Sequence, residues 1–281
     1  MQSVHSTKSL PMNYSTRPLS HRSTYHYRWV VYTLLVSAGL HVLGVLTALG
    51  VLQPGLDVQL PILDRAYYIS NNVLSWRLGW LVWQCTAISN LVAAIAIVCY
   101  FRHAYLRRVC DTCWPYYWSL AALVFTILAM IPEQWAEFAL VTEFIQTAHL
   151  AITTGDTTEY LLQESRWLVM TTTCGACGYT MMQFAWICCA TIYHGRPRKI
   201  WWFWGFGLLD FALFTISYLA CYWSCQAALQ GGVYVGFETV IIFNAIAFPL
   251  LILWMLMFIS VVGNRHHAEA VLKSPKLPNN Y

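Results

Sequence analysis

The residues of this chain that could do chemistry are few, and they stand inside apolar runs. Asp210 comes eleven residues after the basic Lys199, among Leu, Phe and Ala. His41 comes thirteen residues after Arg28 in another apolar run, and Asn90, Gln84 and Gln183 stand inside two more. Asn244 follows Glu238 into the last run. An ionised carboxylate at the centre of a membrane-crossing helix costs about 2.5–3.5 kcal/mol. Asp210 is therefore expected to face other helices and to hold a partner or a proton. Asp210, His41 and Asn90 form the candidate polar cluster, with Asn244 and Gln183 as further ligand-binding candidates. Such a cluster binds a small polar group or relays protons. The competing reading is a static hydrogen bond between helices, worth about 0.6 kcal/mol.

Cysteine is the second reactive class, with ten residues. Cys174-Gly-Ala-Cys177 puts two thiols on one helical face, and Cys85, Cys221 and Cys225 are expected at similar depth. A thiol–disulfide oxidoreductase using Cys174, Cys177, Cys221 and Cys225 is the alternative chemistry. Against it, this CxxC lacks a thioredoxin-like context, and Cys174 with Gly178 also forms a small-xxx-small packing pair. Cys110-Asp-Thr-Cys113 reads as two reduced thiols, because His103 and His194 do not stand at a zinc spacing. No metal and no cofactor are expected. The sequence has no P-loop, dinucleotide, HExxH or GxSxG motif, and a haem would want a second deep histidine besides His41. Thr171, Thr172 and Thr173 either line a cavity or bond back to the preceding turn. Glu133 and Glu137, one turn apart, read as a solvated acidic face.

The elements that position these residues follow from composition. The chain is 58% hydrophobic and 10% charged, where soluble domains carry about 25% charged residues. Six apolar runs, about 29–52, 78–101, 114–131, 167–193, 200–223 and 239–262, are long enough to span a bilayer. The fold expected is an all-α bundle of six transmembrane helices. Thirteen of the sixteen Lys and Arg fall on the side that holds both termini, and nine acids fall on the other. The positive-inside rule then puts both termini in the cytoplasm and the chain in the inner cell membrane. Residues 1–28 read as a disordered basic tail before an uncleaved first anchor, and 263–281 as a cytoplasmic tail. Pro132 reads as the end of the third run. One outer amphipathic helix is expected from Glu133 to about Ala151, with Trp135, Phe138, Thr142 and Ile145 on its stripe. Arg77 should snorkel to the outer interface while Trp76, Trp80 and Trp83 anchor that level. Without a basic stripe on a soluble domain, nucleic acid is excluded as a partner. The partner expected is the lipid bilayer.

The stretch Ser75-Trp76-Arg77-Leu78-Gly79-Trp80-Leu81-Val82-Trp83-Gln84 resembles the start of a helix in bacterial six-helix integral membrane proteins of unknown function. Asn244-Ala245-Ile246-Ala247-Phe248-Pro249 followed by Trp254 is similar to their final helix. The resemblance implies a bacterial inner-membrane bundle and carries no activity. The functional expectation is a protein that binds or translocates a small or lipophilic solute through a polar interior centred on Asp210. The alternatives are the thiol enzyme and a structural or assembly partner without chemistry.

Overall fold

The computed structural model describes residues 21–107, 112–231 and 233–272. Residues 1–20 and 273–281 of the two expected tails, and Cys110 of the second CxxC, lie outside the described residues. Every regular element among the described residues is helical. The chain runs through α1 (His21–Thr47), α2 (Gln53–Leu56), α3 (Ile62–Asn71), α4 (Val73–Leu106) and α5 (Trp114–Val141). It continues through α6 (Glu143–Thr154), α7 (Thr158–Leu168), α8 (Ala176–His194), α9 (Trp201–Gly231) and α10 (Phe237–Leu272). Two π-helical segments, Ala48–Leu52 and Val169–Gly175, join α1 to α2 and α7 to α8. Apolar runs of this length become helices because hydrocarbon offers backbone N–H and C=O groups no partner.

Among the described residues, five helices are long and apolar enough to cross a membrane: Tyr25–Leu56, Val73–Leu106, Trp114–Val141, Pro197–Gly231 and Phe237–Asn264. Their outward faces expose large apolar side chains such as Leu46 and Leu49, Ile88, Leu128, Leu219 and Ile242. A water-facing helix would carry a polar stripe there instead. The expected fourth run is not among the five. It is shared between the end of α7, a π segment and α8, and it carries Thr171, Thr172, Thr173, Thr180 and Gln183.

The long helices pack in a closed ring: α1 on α4, α4 on α5, α5 on α8, α8 on α9, α9 on α10, and α10 back on α1. The core of the ring is aromatic. Trp254 stacks on Phe203 at 5.5 Å and on Trp186 at 6.3 Å, and the Tyr100 and Tyr193 hydroxyls meet at 2.8 Å. Arg102, Arg107, Arg196, Arg198 and Lys199 gather at one end of the ring. At the other end the connecting segments fold into a helical cap, in which α3 packs on α6, α6 on α7, and α7 on α9. The cap has its own apolar core, including Trp76, Trp80, Phe144, Tyr160 and Trp167.

Several boundaries differ from the sequence reading. α1 begins at His21, inside the expected tail, and α10 continues to Leu272, past the expected end at Val262. α5 runs through Pro132 to Val141, so Glu133–Val141 extend the third run and do not form a separate surface helix. Proline removes one backbone donor, and neighbouring helices can stabilise the interrupted ladder in a bundle. The break comes at Thr142, whose φ of −123° and ψ of −82° leave the helical region. The expected stripe therefore splits: Trp135 and Phe138 are exposed on α5, while Ile145 is buried on α6. Trp76 and Trp80 are buried in the cap core and do not anchor an interface. The Trp76 indole donates to the Leu140 carbonyl at 2.9 Å, and Arg77 donates to the Val141 carbonyl at 3.1 Å, which finishes α5.

Backbone approach fixes the α5–α8 contact. A Cβ on Gly178 would lie 2.6 Å from the Ala129 Cβ and 2.9 Å from its Cα. Only a residue without a side chain fits this crossing. Gly178→Val should therefore destabilise the bundle by about 1–3 kcal/mol through overpacking. The check is the thermal midpoint of the purified protein in detergent, and an unchanged midpoint would show that this crossing does not hold the helices.

Candidate functional site

The expected polar cluster separates into three interhelical pairings. Asp210, 0% exposed on α9, accepts a hydrogen bond at Oδ2 from Gln183 Nε2 of α8 at 2.7 Å. Its Oδ1 has no hydrogen-bond partner among the described residues. Asn90 of α4 accepts from the Ser37 hydroxyl of α1 at 2.9 Å, and Ser89 donates to the same Ser37 oxygen at 3.0 Å. His41 bonds within its own helix, Nδ1 donating to the Ser37 carbonyl at 2.7 Å. A carbonyl only accepts, so Nδ1 carries the hydrogen. Asn244 of α10 accepts from Ser217 of α9 at 2.8 Å. No hydrogen bond or ion pair among the described residues joins Asp210 to His41 or to Asn90. The sequence put the three at similar depth, but the ring sets α1 and α4 on one side and α8 and α9 on another.

A different set extends the Asp210 pairing. Glu133 and Glu137, read from sequence as solvated, turn into the bundle, and Glu137 is 2% exposed. Glu133 accepts the Tyr179 hydroxyl of α8 at 2.5 Å, and Glu137 accepts from Gln134 at 2.9 Å. The two carboxylates stand one turn apart on α5. Tyr179 and Gln183 are themselves one turn apart on α8, hence on one face. Glu137, Glu133, Tyr179, Gln183 and Asp210 thus form a string of polar side chains from α5 across α8 to α9. No cation among the described residues pairs with any of its acids. The signal for it in the sequence was the i, i+4 spacing on α8 of Tyr179 and Gln183. It stays hidden in the sequence because its Glu133 and Glu137 lie beyond Pro132, which reads as a helix end.

The π segment beside this string packs on α5, and a Cβ on its Gly175 would touch the Glu133 Cβ at 3.4 Å. Of its threonines one bonds back to the preceding turn as expected and one bonds across to another helix, and none lines either cavity described below. Thr171 bonds back to the Trp167 carbonyl at 3.2 Å, while Thr173 reaches the Tyr218 carbonyl of α9 at 3.4 Å.

The cysteines are all thiols among the described residues. Cys221 and Cys225 are buried one turn apart with sulfurs at 4.0 Å, about twice a disulfide bond length. The Cys221 thiol donates to the Leu168 carbonyl at 3.6 Å. Cys174 is exposed and Cys177 half-buried.

The cap holds a second polar centre that sequence reasoning missed. Arg65 of α3 and Glu164 of α7 form an ion pair in which both side chains are 1% exposed. The other Glu164 oxygen accepts the Tyr234 hydroxyl at 3.0 Å, which also lies 3.0 Å from the Ser165 hydroxyl. The Arg65 guanidinium stands 5.6 Å from the centre of the Tyr160 ring, a cation–π contact. Burial pushes the Glu164 carboxyl above its usual range, opposed by the Arg65 charge and the Tyr234 hydroxyl. Burial and the Glu164 charge raise the Tyr160 and Tyr234 phenols, which stay protonated.

The cap pair makes a pH-dependent prediction. A carboxyl raised in the folded state holds its proton more tightly than in the unfolded chain. Its contribution to stability is therefore largest at acid pH and falls as pH rises past the unfolded carboxylate range. Arg65→Met removes the opposing charge. The variant should lose about 3–5 kcal/mol near neutral pH and regain part of it at acid pH, as Glu164 takes a proton. Melting curves of both proteins at the two pH values decide it. A deficit independent of pH would mean that Glu164 is not the responsible group.

Two cavities stand out. One, of about 50 Å³, lies in the cap between Trp135, Glu143, Gln163 and Arg166. The other is an apolar groove of about 300 Å³ between α1 and α4 near the basic end. Neither is lined by Asp210. The chain matches no family model, no curated protein and no solved structure.

Proposed function

We propose that the chain is a six-span protein of the inner cell membrane, with both termini cytoplasmic, whose interior binds or translocates a small solute, and that this solute is the proton. The observation that carries the reading is the string Glu137–Glu133–Tyr179–Gln183–Asp210, whose three acids lie inside the bundle with no cation beside them among the described residues. Each would cost about 2.5–3.5 kcal/mol if held ionised at mid-membrane. Natural membrane proteins keep such residues where protons move. Tyr179 is a hydroxyl donor on the Glu133 carboxylate, and Gln183 is a fixed donor on Asp210 one turn away. Together they span three helices with hydrogen-bonding groups. The sixth crossing is α8 with its π segment, which sits between α5 and α9 in the ring.

A structural role is the second reading. It is favoured by the pairing of Asp210, Asn90 and Asn244 with neighbouring helices. The thiol–disulfide reading rests on Cys174, which is exposed, with the half-buried Cys177 three residues on, and on the buried Cys221–Cys225 contact, whose sulfurs stand 4.0 Å apart.

Proteoliposomes with a trapped pH-sensitive dye separate the first two. Under an imposed pH gradient the wild type should acidify the lumen faster than empty vesicles. Asp210→Asn and Glu137→Gln, if they melt like the wild type, should each slow this by about a hundredfold, the scale of losing one proton-transfer group. A wild type no faster than empty vesicles would leave the structural reading. Reporter fusions at both ends should both score cytoplasmic, and opposite compartments would refute six crossings.

A further inference from the structure

We infer that the groove between α1 and α4 is a binding site for one anionic phospholipid, with an acyl chain in the groove and the phosphate at the basic rim. Its volume of about 300 Å³ lies at the lower end of small-molecule pockets. The floor is made by Thr33 and Ala96, which are small and buried. The Thr33 hydroxyl is turned back onto the Trp29 and Val30 carbonyls at 2.9 and 3.2 Å, so the floor presents carbon. Val92 and Ile95 form an exposed wall on the outer face of the ring, so the groove opens toward the bilayer and is filled from the side.

Charge fixes the headgroup. On α4, Ile95, Cys99 and Arg102 follow the i, i+4, i+7 stripe of one helical face, which carries the groove wall straight to an exposed guanidinium. On α1, Arg28 stands exposed between Tyr25 and Trp29, which also line the groove. The His26 and His103 rings, 5.0 Å apart, join the two walls at the mouth. Neither α1 nor α4 contains an Asp or Glu. A basic mouth above an apolar slot between membrane helices selects an anionic lipid headgroup over a zwitterionic one. The site uses none of the acids invoked for proton movement, so the two readings stand or fall separately.

The test is lipid retention by the purified, delipidated full chain in mild detergent, read by native mass spectrometry. Phosphatidylglycerol should be retained over phosphatidylcholine by about fivefold for each arginine engaged. The double variant Arg28→Gln, Arg102→Gln should lower that preference to parity. Ala96→Phe fills the floor, and Cys99→Trp fills the slot from its exposed side without entering the helix contact. Both should lose bound lipid of either kind. Equal retention of the two lipids by the wild type would overturn the proposal. So would full retention by a Cys99→Trp protein that melts normally, or displacement of the lipid by inorganic phosphate alone.

Discussion

Hydrocarbon solvates no polar group, and that constraint organises the rest of this structure. It turns every apolar run into a helix, because backbone groups must bond within the segment. It also sends polar side chains inward, where they meet one another. Ser37 with Asn90, Gln183 with Asp210, and Ser217 with Asn244 each join two helices of the ring. With little hydrophobic drive between helices in lipid, close packing supplies the remaining attraction. That is why the α5–α8 crossing depends on the missing side chain of Gly178, and why the basic half of the ring is filled by Trp186, Phe203, Trp254 and Phe258.

The cap and the bundle handle charge in opposite ways. In the cap, Arg65 and Glu164 neutralise each other, the second Glu164 oxygen accepts the Tyr234 hydroxyl, and the Arg65 guanidinium lies over the Tyr160 ring. Such a pair is expensive to break and silent while intact. In the bundle, Glu133, Glu137 and Asp210 have hydroxyl and amide donors and no neutralising charge among the described residues. A closed ion pair has nothing left to exchange, whereas an acid held only by neutral donors can gain or lose a proton in place. This difference, more than burial, directs the functional reading to α5, α8 and α9.

How much was legible in the sequence follows the same physics. The long helices were readable because hydrophobicity alone defines them, and Asp210 and Gln183 were readable because a polar residue in lipid is conspicuous. Their partners were not. Depth along a helix can be counted from its ends, but rotation around it cannot, so Asp210 and His41 looked close and lie on different sides of the ring. Proline misled at position 132, where a rule learned from helices in water moved Glu133 and Glu137 to the surface. Arg65 stands in a connecting segment between two apolar runs. Nothing in its neighbourhood of Asp64, Ala66 and Tyr67 signals a partner about a hundred residues away on α7. The groove between α1 and α4 was equally invisible, because it exists only where two helices lie side by side.

The π segment at Val169–Gly175 has a bearing on the chain's geometry as a phase device. A π turn takes up more residues than an α turn, so side chains beyond it are rotated relative to those before it. Glu164, on the near side, points at Arg65 in the cap, and Tyr179, on the far side, points at Glu133 in the bundle. A regular helix from Thr158 to His194 would present a different angle between these two residues. Rotating one onto its partner would swing the other away. The wide turn is thus the gearing by which a single rod serves two interiors at once, and the spacing between Glu164 and Tyr179 is set by that rotation as much as by length.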